Sequence, residues 1–227
     1  MKKIMFNTET GLEQAVFDLY KIKTRRLEGE NLKKIAVNET IHSVKFSGST
    51  ATLNIRGDMG KGYKMYSYDI EMTTRYKVGD IVAISQSYNT VYSRLPDCEK
   101  NSFLARVLKE HQVSNHRDLI AWYNKFYVKA ELMPHHVIIE DIGFERLQDI
   151  SDEDCYCEGV RYAFPGYYVD GMHPKKDNEK TIKNENGTHL VFNTPKEAFK
   201  CLIERTCGKD VWEKNPYVVV YKFGLLD

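Results

Sequence analysis

Residues 41–55 read IHSVKFSGSTATLNI. Ile41, Val44 and Phe46 precede the central Ser47-Gly-Ser-Thr50, and Ala51, Leu53 and Ile55 follow it. Two apolar runs parted by a short polar turn are the signature of a β-hairpin. Moving outward, residues 65–71 (MYSYDIE) alternate with period two and predict a third strand, and residues 80–85 a fourth, short and largely apolar. Residues 126–132 (FYVKAEL, stopped by Pro134), 136–144 and 217–223 predict three more. Together these runs are expected to form one curved sheet or barrel. Residues 57–62 (GDMGKG) are rich in glycine, but they lack the Gly-Lys-Ser/Thr ending of a phosphate-binding loop and read as a loop tip.

Helical periodicity occurs between and around these runs. Residues 10–26, TGLEQAVFDLYKIKTRR, open with Thr10-x-x-Glu13, a capping-box pattern, and continue with Leu12, Ala15, Val16 and Leu19 at helical spacing. Lys21, Lys23, Arg25 and Arg26 follow, with Thr24 among them. If the helical turn continues, Lys21 and Thr24 share a face. A hydroxyl beside an amine offers a nucleophile and a base, and paired arginines suit phosphate or carboxylate oxygens. The ordinary structural explanation is that cations at a helix end complement its dipole.

Residues 94–125 break the β pattern: Phe103, Val107 and Leu108 predict one helix, and Leu119, Ile120, Trp122 and Tyr123 another, as a helical insertion. Ser151 to Asp154 starts a further helix carrying Cys155, Cys157 and Glu158. Residues 161–190 have no convincing period over most of their length and read as a long loop. Thr194-Pro-Lys-Glu197 is the strongest helix start in the chain, with a cap, a proline in the first turn and a glutamate three on.

The 227 residues suit one domain over residues 1–227, and 42% hydrophobic with 29% charged residues fits a globular chain without disorder. A formal net charge of +1 excludes wholesale electrostatic wrapping of nucleic acid, so any such site is a local patch. No long apolar run or signal-peptide core follows MKKIMFN, and the five cysteines have no disulfide spacing, so a cytoplasmic protein off the membrane is expected. Cys155, Cys157, Cys201, Cys207, His135 and His136 match no zinc spacing, and neither metal nor cofactor is expected.

The residues Gly-Leu-x-x-Ala-Val and Lys-x-x-Thr-Arg-Arg of residues 11–26 resemble the opening motif of the ASCH family, which has a PUA-like β-barrel fold. Residues 75–88, 124–135, 145–159 and 215–223 resemble, in order, the longer ASCH proteins of bacterial and phage genomes. The resemblance implies an α+β chain built on a PUA-like barrel with the helical insertion and flanking helices. It is also similar to the small enzymes that hydrolyse N(4)-acetylcytidine, which implies Thr24 as nucleophile, Lys21 as its base and Glu158 as a polarising or proton-handling partner. Lys21 then needs burial or neighbouring cations to lower its proton affinity, while Glu158 opposes that shift.

Lys23, Arg25 and Arg26 are the expected ligand cations, Gln86 a base-edge reader and Tyr88 a stacking wall. The implied partner is RNA or a modified nucleoside. Three functions stay open: an amidohydrolase acting on N(4)-acetylcytidine, a non-catalytic RNA-binding module, and a ribonuclease, for which no metal site or His pair is evident.

Overall fold

The β-hairpin read from residues 41–55 explains its own uneven spacing. In the computed structural model, which describes residues 1–58, 65–174, 179–184 and 187–226, Ile41 faces Ile55, Val44 faces Leu53 and Phe46 faces Ala51. Ile41 and Val44 are three apart, which in a regular strand would put them on opposite faces. A register shift between Ile41 and Ser43 leaves His42 unpaired as a bulge and returns both to one face.

In chain order the strands are β1 (Lys2–Ile4), β2 (Lys23–Arg26), β3 (Glu39–Ser47), β4 (Thr50–Asp58), β5 (Met65–Thr73), β6 (Ile81–Ile84), β7 (His136–Arg146), β8 (Arg161–Ala163), β9 (Gly166–Tyr168), β10 (Thr181–Asn184), β11 (Gly187–Leu190) and β12 (Tyr217–Leu225). The α-helices are α1 (Leu12–Phe17), α2 (Tyr88–Arg94), α3 (Asp97–His111), α4 (Asp152–Cys157), α5 (Pro195–Cys207) and α6 (Asp210–Lys214). The fold is α+β. Two compact units are distinguished within the chain.

The first unit comprises Met1–Asn7, Ile81–Ile138 and Gly224–Asp227. β1 runs parallel to β6, and β6 runs antiparallel to the start of β7. Tyr88, Val91, Phe103, Val107, Trp122, Val128 and Leu132 share its core. Of the two helices expected over residues 94–125, the first is present as α3 and the second is only a 3-10 turn, Ile120–Trp122; α2, which ends where that interval begins, is not expected from the sequence. Residues 126–132 are likewise no strand: two 3-10 turns, Lys125–Tyr127 and Ala130–Leu132, replace it. Asn124 Oδ1 accepts from Phe126 N at 3.0 Å, and Lys129 N donates to the Tyr88 hydroxyl at 2.9 Å. Side chains thus supply bonds that a ladder would have made.

The second unit comprises Thr8–Asp80 and Ile139–Phe223. β3, β4 and β5 form an antiparallel sheet whose inner residues Ala51, Leu53 and Ile55 are wholly buried. Gly57 is required here. Tyr66 lies across it to donate to Glu39 at 2.7 Å, and a Cβ on Gly57 would sit 2.4 Å from that ring. β2 pairs antiparallel with β12, which neighbours β7. The predicted strands are therefore divided among separate sheets, and no closed barrel is formed among the described residues.

The interval read as a long loop holds two short hairpins, β8–β9 and β10–β11. α5 starts as the sequence predicts: Thr194 Oγ1 accepts from Glu197 N at 3.1 Å, and Glu197 Oε2 accepts from Asn193 N at 3.0 Å. Phe199 and Leu202 of this helix join Leu147, Cys155, Val169, Trp212 and Val218 in one core. Of the glycine-rich loop, Gly57 and Asp58 belong to β4, and residues 59–62 lie outside the described residues.

α1 is shorter than its sequence pattern. It starts behind Gly11, without the Thr10–Glu13 capping box, and Glu13 is buried, accepting instead from the Thr8 hydroxyl at 3.1 Å. It ends because Leu19 adopts φ 63°, the left-handed conformation that closes helices, and this exposes Leu19. Lys21 and Thr24 consequently share no helical face; Thr24 belongs to β2.

Candidate functional site

Strand β2 presents alternate side chains to opposite sides, so Lys23 and Arg25 share one side and Thr24 and Arg26 the other. Against the Lys23–Arg25 side stands α4. Its Ser151 cap accepts from Asp154 N at 3.1 Å, which fixes the first turn and its acidic residues. Glu158 follows as the C-cap residue, and Gly159 turns the chain away at φ 107°. A Cβ at Gly159 would meet Leu12 Cδ2 at 2.8 Å, so glycine lets α1 and the stem of Lys21 close over this turn.

Six charges meet there. Lys21 Nζ donates to Glu158 Oε2 at 2.7 Å, to the Glu158 carbonyl at 3.0 Å and to the Lys23 carbonyl at 2.9 Å. Arg25 donates through Nη1 to Glu158 Oε1 at 3.0 Å, through Nη2 to Asp154 Oδ2 at 2.6 Å and through Nε to Glu145 Oε1 at 2.6 Å. Lys23 Nζ reaches Asp154 Oδ1 at 2.5 Å. The Lys21 and Arg25 side chains are each 1% exposed and that of Glu158 is 5% exposed. Three cations therefore balance three carboxylates. Lys23, Asp154 and Glu145 form the partly exposed rim.

Burial depresses the proton affinity of Lys21, Glu158 raises it, and Arg26 and Arg25 add to the depression; the net direction is down. The geometry nevertheless suits an ammonium, because three donors meet three acceptors and a neutral amine would turn a lone pair toward one of them. Burial also depresses Arg25, but Glu158 and then Glu145 outweigh it and its proton is held more tightly than usual. Burial raises Asp154, but bonds from Lys23 and Arg25 bring it below the ordinary carboxylate range.

The sequence-predicted residues divide clearly. Lys21, Glu158, Lys23 and Arg25 are brought into one network. Thr24 is buried on the other side of β2, its backbone opposite Tyr221, and the three donor positions of Lys21 are occupied by other acceptors. Arg26 is half-buried on that same side. Gln86 and Tyr88 belong to the first unit and are both buried. The Tyr88 hydroxyl lies 2.7 Å from His111 Nε2 and its ring packs edge-on to Phe103, so it has no open face for a base.

Asp154 and Glu145 went unread as partners. The signal was available in charge matching, since both carboxylates lie in stretches that also supply Glu158. No group of three or more His, Cys, Asp or Glu side chains suited to a metal occurs among the described residues, and none of their helices is long and apolar enough to cross a membrane.

No family model matches the chain, and searches of curated proteins and of solved structures also returned no match.

Proposed function

We propose that this chain is an ASCH-type protein on a PUA-like framework that binds a nucleoside or RNA at the Lys21–Glu158–Arg25 network. The observation that carries this is the buried, fully hydrogen-bonded ion network built from residues more than 130 positions apart. Replacing such a network by apolar side chains commonly leaves a fold equally stable, so stability alone does not account for it and a ligand-binding role does. Its balanced charge matters for ligand type. The balanced core holds no surplus charge for a bare phosphate, and the groups at its partly exposed rim, the Lys23 donor and the Asp154 and Glu145 acceptors, suit the edge of a base.

Calorimetric titration with cytidine and N(4)-acetylcytidine tests this. Saturable binding is expected, weakened about tenfold or more in Glu158→Gln and less in Lys23→Ala, with circular dichroism checking the fold. Absence of saturable binding to either nucleoside and to RNA rejects the proposal.

Hydrolysis of N(4)-acetylcytidine is the second reading, favoured by the burial of Lys21, which lowers its proton affinity against the opposing pull of Glu158. It requires Thr24 to reach Lys21 after a rearrangement of β2. Release of cytidine, followed by chromatography, is then expected to vanish in Thr24→Ala and persist in part in Thr24→Ser. Turnover unchanged in Thr24→Ala excludes that nucleophile.

A further inference from the structure

The run of 3-10 turns that replaces the expected second helix and the expected strand in the first unit leaves large apolar side chains uncovered. Ile120 is 66%, Tyr123 77%, Phe126 61% and Tyr127 54% exposed, within eight consecutive residues. The turns hold these residues close together: Asn124 N donates to the Ile120 carbonyl at 3.0 Å, Tyr127 N to the Asn124 carbonyl at 3.2 Å, and the Phe126 and Tyr127 rings meet at 5.6 Å. Trp122 and Val128, from the same run, are buried and anchor it. The exposed rings therefore sit on a packed base.

Cations accompany the rings. Residues 115–129 contain Arg117, Lys125 and Lys129 against Asp118; Lys129 is paired with Glu110 at 3.4 Å, which leaves Arg117 and Lys125 as the cations beside the rings. Arg117 is exposed. Lys3 Nζ is fixed beside the aromatics by the Phe126 and Val128 carbonyls at 2.7 and 2.6 Å, and Lys125 Nζ by the Phe6 carbonyl. Flat hydrophobic faces interleaved with cations match what unpaired bases and their phosphates require. An apolar protein partner would gain nothing from the cations.

We propose that this patch, centred on Tyr123, Phe126 and Tyr127, binds single-stranded nucleic acid by stacking bases on its rings while Arg117 and Lys125 meet the backbone. It uses none of the residues of the Lys21–Glu158–Arg25 network, and it stands or falls apart from nucleoside binding there.

The test is fluorescence anisotropy of the full chain with a labelled single-stranded RNA of mixed sequence and its DNA counterpart, which tells the two sources apart. Each stacked base is worth roughly five- to 150-fold in affinity, so Tyr123→Ala/Phe126→Ala/Tyr127→Ala is expected to bind about tenfold more weakly or worse. Phe126→Trp is expected to keep its affinity, Arg117→Ala to lower it and flatten its salt dependence, and Val37→Ala, an exposed control, to change nothing. These side chains are exposed, so the variants are expected to keep the wild-type melting temperature. Equal affinity of wild type and triple variant overturns the proposal, as does absence of saturable binding to both oligonucleotides. A triple variant that changes only the sedimentation of the protein also overturns it, in favour of self-association. Nucleoside titration of the triple variant, expected unchanged, separates this outcome from that of the network.

Discussion

Two buried polar clusters of the second unit treat ionisable side chains in opposite ways. Around Glu158, Lys21 and Arg25 stay charged because each carboxylate oxygen meets a cation. Around Asp170, a wholly buried histidine is kept neutral instead. His189 Nδ1 accepts from Gly171 N at 3.2 Å, and Nε2 faces Asn184 Oδ1 at 2.9 Å, so a proton at Nδ1 would point against another N–H. Asp170 receives Tyr20 and Arg161 on Oδ2, while His189 Nε2 stays 3.7 Å from Oδ1. Burial is the main cause that lowers the His189 proton affinity; Asp170 raises it, and His173 and Arg161 lower it further. A buried ionisable group thus either finds its countercharge or gives up its charge, and the neighbouring backbone, carbonyls at Lys21 and an N–H at His189, sides with the outcome.

The sharpest way to break this contrast is to remove the shared anion. Glu158→Ala leaves the Lys21 and Arg25 cations buried without it and is expected to cost about 3–5 kcal/mol, read from urea denaturation midpoints. A loss near zero would mean that the network is hydrated and its balance unimportant.

The histidine cluster is expected to respond to pH rather than to charge removal. Its folded-state proton affinity lies below the unfolded value, so its contribution is complete above about pH 6.5 and is lost as pH falls through that value toward the lower folded one. His111, also depressed by burial and by Lys129, adds a loss of the same sign. Denaturation midpoints should therefore fall on acidification, and His189→Gln should flatten part of that slope. A slope identical in the variant would show that His189 protonates freely in the fold.

Lys23 gives the smallest effect. Its ammonium is partly exposed and Asp154 keeps Arg25 as a second partner, so Lys23→Ala is expected to cost under about 1 kcal/mol. A cost rivalling that of Glu158→Ala would extend the buried network to its rim.

What could be read from sequence follows from how local each feature is. The hairpin of β3 and β4, the Ser151 cap and the Thr194 cap are set by neighbours a few residues apart, and all three are present. The end of α1 was not readable, because Leu19 adopts a left-handed conformation that its residue type does not announce. Residues 126–132 misled for another reason: Val128, Ala130 and Leu132 are buried alternately, as in a strand, yet Asn124 and Tyr88 take the backbone bonds. Of the candidate site, Lys21, Arg25 and Glu158 were legible by motif. Their grouping with Asp154 and Glu145 depends on contacts across more than 100 residues, which no local pattern encodes.

The bulge at His42 has a consequence for chain length. Ile41 pairs with Ile55 and Ser43 with the adjacent Asn54, so β3 has one residue more than its partner needs. Deleting that residue would preserve the pairings of Ile41 with Ile55, Val44 with Leu53 and Phe46 with Ala51 and remove only the surplus. The sheet therefore stores curvature as unequal strand lengths, and a single codon tunes its bend without touching its register.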